Sequence, residues 1–259
     1  MNLKNIIKLS PSHIASMSND WYALTDPNHF WFRWRFKILH TLLKPLLSGD
    51  IKILEIGCGD GTVMKQFYDH LGVSIDGCDI NSFALKNINY KIPGNVYQYD
   101  IFELHPLLID KYDVVLLLDV IEHIDNVNEF ISAALKHLKN NGIIIVGVPA
   151  YQWLYSNYDL ELGHYRRYNR SQIKQLFIEL ELDIIETKYW GLSMIPLLLI
   201  RKYYLKMNRK NIVEKGFGIP HPLFNKLALH IMNLETMFIK NPISGSSLFA
   251  IAQKKVMSS

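Results

Sequence analysis

The chain is poor in cysteine and has no long apolar run. Only Cys58 and Cys78 occur among its 259 residues, with no CxxC pair, which excludes a disulfide framework and a thiolate zinc site. The most apolar stretch, residues 192–200 within GLSMIPLLLIRKYY, falls far short of the roughly 20 residues that cross a bilayer. Residues 1–20 carry a short apolar patch but no longer hydrophobic region followed by a cleavage site, so no signal peptide is expected and a cytoplasmic location is. Net charge is small as well, +4 from 28 Lys and Arg against 24 Asp and Glu. That excess does not indicate nucleic acid, though it suits an anionic cofactor, a phosphate-bearing acceptor or an acidic membrane surface. Internal repeats and low-complexity tracts are absent.

What is present reads as globular. Apolar residues make up 49% and charged residues 20%, and the length suits one large α/β domain with an insertion, or two small domains. Residues 1–50 are aromatic-rich and helical in pattern, with HFWFRWRFKILHTLLKPLL (29–47) ending near Pro45 and Gly49. From residue 51 strands and helices alternate. KILEIG (52–57), SIDGCDI (74–80), NVYQYDI (95–101), YDVVLLLDV (112–120) and IIIVGVPA (143–150) read as strands, the fourth apolar on both faces as in a central parallel strand. Between them lie the helical segments GTVMKQFYDHLG, NSFALKNI (capped by Asn81 or Ser82) and VNEFISAALKHLK (capped by Asp125 or Asn126, ending at the 140–142 turn). Such alternation predicts a parallel sheet of βαβ units. Beyond a polar aromatic loop, Ser171 is the expected cap of QIKQLFIEL. DIIETKYW (183–190) and SLFAIAQKK (247–255) read as further strands around amphipathic helical material.

The chemistry concentrates where strands end. Glu55, Gly57, Cys58, Gly59, Asp60, Gly61 and Thr62 follow the first strand and open a helix. Glycines let the backbone turn sharply and a ligand approach it, and the helix start offers unpaired N–H groups. A dinucleotide fingerprint would want glycine where Thr62 stands; the observed spacing is GxGxG. Asp79 lies 20 residues beyond Gly59 at the end of the second strand, where a carboxylate can accept from both ribose hydroxyls of a nucleoside. Asp100 ends the third strand and is placed to receive an adenine amino group; Asp119 ends the fourth and faces the same crevice.

Together ILEIGCGDGT, GCDI, YDI and DVVLLLDVIEHIDN resemble the class I methyltransferases that use S-adenosylmethionine (SAM), closest to the branch of the ubiquinone-pathway O-methyltransferases. The resemblance covers about residues 50–150 and the last strands. It implies an α/β, Rossmann-like, seven-stranded, mostly parallel sheet with an antiparallel last strand. The divisions are an N-terminal helical lid (1–50), the SAM-binding domain (51–190), a helical insertion (191–246), and a final strand and tail (247–259). It implies that Glu55, Gly57, Cys58, Gly59 and Gly61 shape the methionine and ribose pocket. Asp79 with Ile80 would hold the ribose, Asp100 and Ile101 adenine, and Asp119 with Val120 would lie beside the methionine end. The flanks resemble a bacterial subgroup associated with surface polysaccharides and secondary metabolites, in which Arg35 would approach the SAM carboxylate. In ubiquinone-type enzymes a similar Glu-His pair with a preceding acid can hold a divalent metal, which raises Asp119, Glu122 and His123 as ligands, but the imidazole makes this a poor magnesium site, so no metal is expected and the pair is read as opening a loop.

The run His164, Tyr165, Arg166, Arg167, Tyr168 reads as an acceptor pocket, arginines for an anionic group, tyrosines for stacking and His164 as general base, or else as a solvated loop. His123 is the other candidate base, needed only if the acceptor is a hydroxyl. The aromatic run 29–36 reads as lid and packing helix, and both cysteines as small buried hydrophobes. The insertion combines Leu197, Ile200, Leu223, Leu229, Ile231 and Met232 with Arg201, Lys202, Lys206, Arg209 and Lys210; it suits a cap over the pocket, a homodimer interface or peripheral membrane contact. The expected activity is methyl transfer to a sugar, lipid-linked or secondary-metabolite acceptor. An NAD-dependent oxidoreductase and a non-catalytic SAM-binding module are the alternatives.

Overall fold

A computed structural model of the chain describes residues 5–11, 21–22, 25–47, 49–88, 92–218 and 220–255; most of the segment read for a signal peptide lies outside them. Eight strands form one sheet: β1 (Ile6–Lys8), β2 (Ile53–Ile56), β3 (Asp76–Asp79), β4 (Val96–Gln98), β5 (Tyr112–Leu118), β6 (Leu138–Pro149), β7 (Asp183–Trp190) and β8 (Ser247–Gln253). Their order is β1-β4-β3-β2-β5-β6-β8-β7, and β8 alone runs antiparallel to its neighbours. The sheet therefore has eight strands where seven were expected. The extra one, β1, adds to the β4 edge in parallel register, Ile6 against Val96. Three residues are too few to show a period of two, so a helical reading of the N-terminal segment misses it.

The helices are α1 (Phe30–Leu43), α2 (Thr62–Leu71), α3 (Ser82–Lys86), α4 (Val127–Leu135), α5 (Asn157–Glu161), α6 (Arg170–Glu179), α7 (Ile195–Met207), α8 (Ile212–Phe217) and α9 (Pro222–Phe238). Asn81 caps α3 and Asn126 caps α4. Asn169, not Ser171, caps α6: its side chain accepts from Gln172 N while the Gln172 side chain accepts from Asn169 N. That reciprocal box satisfies two amide donors, which Ser171, already inside the first turn, has no geometry to do.

Alternation along the central strands sends side chains into two cores. Leu54, Ile56, Val115, Leu117, Ile144 and Val146 pack on one face. Ile53, Val114, Leu116, Leu118, Ile143 and Ile145 pack on the other, beneath α1, α2 and α9. A sheet covered on both faces positions its ligand crevice at the carboxyl ends of the strands.

The segment between β7 and β8 is knitted to α1. Trp34 Nε1 donates to Thr236 Oγ1 at 2.7 Å, and Phe30 N to Asn225 Oδ1 at 2.7 Å. Buried Glu235 of α9 accepts from the amides of Gly191, Leu192 and Ser193 at 3.0, 3.1 and 2.7 Å, closing the turn before α7. Among the described residues no helix is long and apolar enough to cross a membrane.

Candidate active site

The turn from β2 into α2 is pinned to its neighbour. Gly57 N and Cys58 N both donate to Cys78 O, at 2.8 and 3.0 Å. Gly57 has φ +79°, and a Cβ there would sit 2.6 Å from Val120 Cγ2, so neither the conformation nor the space admits a side chain. Gly59 N donates to Asp79 Oδ2 at 2.9 Å, and Asn81 N to Asp79 Oδ1 at 2.8 Å. The 20-residue spacing thus becomes a direct bond. Burial pushes the Asp79 carboxyl up against the lowering effect of these amides.

Glu55, at the same turn, is 3% exposed and its Oε2 has no partner. Burial pushes its carboxyl up to about 8, despite the opposing charge of Arg35. An enclosed carboxyl without a donor fits a cationic ligand such as the sulfonium or ammonium of SAM. From the N-terminal segment, Thr25 Oγ1 donates to Asp60 Oδ2 at 2.7 Å, and the Tyr22 ring lies 3.2 Å from where a Gly59 Cβ would be. Burial, then Asp79 and Asp60, push the Tyr22 hydroxyl far up. Tyr22 and Thr25 thus lie directly over the glycine turn.

At the tip of β5, Asp119 takes φ +56°, a left-handed conformation that aspartate tolerates better than most residues. Its Oδ2 accepts from Arg35 Nη1 at 2.5 Å, and the Arg35 guanidinium carbon lies 5.2 Å from the centre of the Phe32 ring. Arg35, expected to approach the SAM carboxylate, reaches the sheet edge from α1 with Asp119 as its partner. Among the remaining cofactor positions, Cys58 and Ile101 are buried in the core, so any contact from Cys58 falls to its backbone. Asp100 caps the turn Ile101–Glu103 by accepting from Phe102 N, Gly61 immediately precedes α2, and Ile80 and Val120 are half-buried.

Asp119 also borders a cavity of about 430 Å³ between the sheet edge, the lid and the insertion. One wall is aromatic: His29 stacks on Phe217 with ring centres 4.2 Å apart, and Trp21 lies 4.7 Å from the same ring. Burial pushes His29 down to about 4. The opposite wall is polar and enclosed. Asp159 Oδ2 accepts from Ser156 N and Oγ. Its Oδ1 receives Arg167 Nε and Nη2, both at 2.7 Å, and lies 3.2 Å from His164 Nδ1. Although burial pushes the Asp159 carboxyl up, these partners hold it well below the usual carboxylate range. His123 stands edge-on to His164, ring centres 4.5 Å apart, and burial pushes it down to about 3. Burial, then Asp119, push the Glu122 carboxyl well up.

Ligand atoms of Glu122, His123 and His164 lie within 4.8 Å of one another. No metal was expected, and the ligand set raised from the resemblance had Asp119 in place of His164; Asp119 is instead engaged by Arg35. Glu122 Oε2 and His123 Nδ1 are enclosed without partners, so this triplet has the donors a divalent cation needs.

The His164–Tyr168 run does not act as one unit. His164 and Arg167 line the cavity, whereas Tyr165 is 56% exposed and Arg166 bonds Asp125 at the surface. Tyr168 is buried with its hydroxyl donating to Ile121 O at 3.1 Å. Tyr165, Arg166 and Tyr168 therefore lie outside the cavity. Sequence reasoning missed Trp21, Tyr158, Asp159 and Phe217, and named Arg201 only as one cation of the insertion. Only Asp159 carried a readable signal, the Ser156-x-x-Asp159 capping box.

Comparison with known proteins agrees with this geometry. A family model described as a methyltransferase domain matches residues 28–187, more than half of the chain. The ubiquinone biosynthesis O-methyltransferase of Pelagibacter ubique is 31% identical over 106 residues, 40% of this chain and 43% of that protein. The chain thus matches about two-fifths of the length of such curated relatives. A SAM-dependent methyltransferase from Archaeoglobus fulgidus superposes with TM-score 0.54 at 17% identity, over 86% of this chain and 96% of that one. A plantazolicin methyltransferase bound to S-adenosylhomocysteine superposes with TM-score 0.57 at 17% identity, over 92% and 88%. At such identities the superpositions establish the shared fold, and the family match sets the dinucleotide reading aside. The chain belongs to the methyltransferase-domain family and has the fold of SAM-dependent methyltransferases.

Proposed function

We propose that this enzyme methylates an oxygen of an amphipathic small molecule held in the cavity beside Asp119. The observation that carries this reading is an aromatic-walled chamber that adjoins the strand-end carboxylates and contains His164 bonded to Asp159. SAM, when bound, supplies a methyl group activated by its sulfonium for in-line displacement. What the chain must add is position, dryness and a place for the acceptor's proton. Glu55 and Asp79 face the cationic and ribose parts of the cofactor. The lid, through Tyr22 and the Arg35–Asp119 pair, closes the sheet edge against water. Asp159, being ionised, can only accept, so His164 Nδ1 carries the proton and Nε2 keeps a lone pair for an acceptor hydroxyl.

A second reading is favoured by the unpartnered Glu122 Oε2 and His123 Nδ1. Glu122, His123 and His164 would hold a divalent cation, whose chemistry would be to polarise the acceptor oxygen. The two readings compete for His164. The test is release of S-adenosylhomocysteine from SAM with a panel of phenols, catechols, sugars and their prenylated derivatives, with and without EDTA. Turnover unaffected by chelator but lowered about 10²-fold or more by His164→Ala supports the base. Loss with EDTA and recovery with added Mg²⁺ supports the cation. Failure of every hydroxylated acceptor beside an active amine would overturn O-methylation.

The insertion's outer face belongs to the same reading. Leu223, Leu227, Leu234 and Phe238 are exposed along α9, Met207 is 85% exposed on α7, and Lys202, Lys206 and Lys226 lie on these elements. An apolar stripe with a cationic surround suits an anionic bilayer, from which a lipid-linked acceptor would enter.

A further inference from the structure

Arg201 is a half-buried cation that, among the described residues, has no carboxylate partner. It projects from α7 into the cavity, with its guanidinium carbon 4.2 Å from the centre of the Tyr158 ring. Nη1 donates to Gly216 O at 3.1 Å, while Nε is enclosed without a hydrogen-bond partner. The Tyr158 hydroxyl, also enclosed at the cavity wall, has no partner either. The two buried arginines of the site are each matched by an acid, Arg35 by Asp119 and Arg167 by Asp159. Among the described residues no ion pair reaches Arg201. Asp159, whose charge acts on it from a distance, is already shared between Arg167 and His164.

Burial works against both groups: it pushes the Arg201 guanidinium down and the Tyr158 hydroxyl up. A buried charge and buried donors without partners are costly to a fold. They persist where a ligand completes them. A guanidinium carries its donors in a planar fork that matches an oxyanion, and the Nε of Arg201 is the donor left without a partner. Around it, Leu198, Phe217 and Phe224 supply an apolar wall.

We propose that Arg201 and the Tyr158 hydroxyl form an oxyanion subsite, so that the acceptor is an apolar molecule bearing a phosphate or carboxylate group. This rests on the cavity being the acceptor site. It narrows the acceptor from any amphipathic hydroxyl compound to an anionic one, and makes Arg201 a specificity-determining residue.

The test is calorimetry on the full chain with phenyl phosphate, benzoate and benzyl alcohol, each with S-adenosylhomocysteine present, alongside a separate SAM titration. Phenyl phosphate or benzoate should bind at least about tenfold more tightly than benzyl alcohol, the margin of one charge-assisted hydrogen bond. Arg201→Gln should erase that margin while benzyl alcohol and SAM still bind. Should Arg201→Gln fail to fold, Tyr158→Phe keeps the stacked ring and should lower oxyanion affinity severalfold, leaving benzyl alcohol unchanged. Benzyl alcohol binding the wild type as tightly as both oxyanions would overturn the subsite, as would an undiminished oxyanion preference in either folded variant. Failure of the wild type to bind SAM would instead count against the methyltransferase reading, so the two failures are separable.

Discussion

Glu55 makes cofactor binding sensitive to pH. The enclosed carboxyl titrates near 8 in the ligand-free protein and has an oxygen without a partner. At about pH 6 roughly 1% of the population is ionised, and at about pH 7.5 roughly a quarter. If the cationic cofactor requires the carboxylate, its association constant rises about 25-fold across that window, and binding releases close to one proton. By about pH 7.5 roughly a third of the ligand's α-ammonium, with an ordinary value of about 7.7–8.0, has lost its proton, which trims the expected rise to about 15-fold. Calorimetry in two buffers of different ionisation enthalpy measures both affinity and proton release. Glu55→Gln should flatten the profile. The stability of the ligand-free protein moves the other way. The unfolded carboxyl loses its proton near 4.5 while the folded one holds it until about 8, so the folded state binds more protons and stability falls as pH rises through that range. Added SAM should therefore raise the melting temperature more at about pH 7.5 than at about pH 6. A wild-type affinity flat between these pH values, without proton release, would refute the role given to Glu55.

Three further outcomes follow from the geometry. Asp79→Ala removes the acceptor for Gly59 N and Asn81 N as well as the ribose carboxylate, and should weaken SAM binding by about a hundredfold or more while circular dichroism keeps its α/β signature. Glu235→Ala strands three amides at the start of the insertion and should cost about 2–4 kcal/mol in urea unfolding, with Glu235→Gln recovering part of it. The protein should float with phosphatidylglycerol vesicles and not with phosphatidylcholine alone, and Leu227→Glu with Phe238→Glu should release it; a concentration-dependent dimer that ignores vesicles would assign the stripe to a second copy instead.

Much of the sheet could be read from the chain because its information is local. Central strands buried on both faces are short apolar runs, and β5 with β6 carries that pattern strongly, Val114–Leu118 and Ile143–Val148 being enclosed throughout. β1 could not be read that way, since its pairing with β4 is a long-range event written in only three residues. The cap of α6 shows the same limit at smaller scale. Ser171 and Asn169 are both good cap residues in isolation, and the reciprocal bond with Gln172 decides between them.

The two halves of the site differ in legibility for a physical reason. The cofactor side depends on backbone: a turn that only glycine permits, and acids at strand ends whose positions the sheet sets, so spacing alone places Gly59 against Asp79. The acceptor side depends on side chains from four distant segments, around residues 21, 158, 201 and 217, which meet only after the insertion packs on α1. Within the 164–168 run, tertiary bonds fix which side chains turn inward: Tyr165 N is held by Glu122 O, and Arg167 N by Gln152 Oε1. That leaves His164 and Arg167 facing Asp159, with Tyr165 and Arg166 in solvent. A composition of two arginines and two tyrosines therefore overstates the pocket, and one arginine outside the run, Arg201, carries the charge that the acceptor must answer.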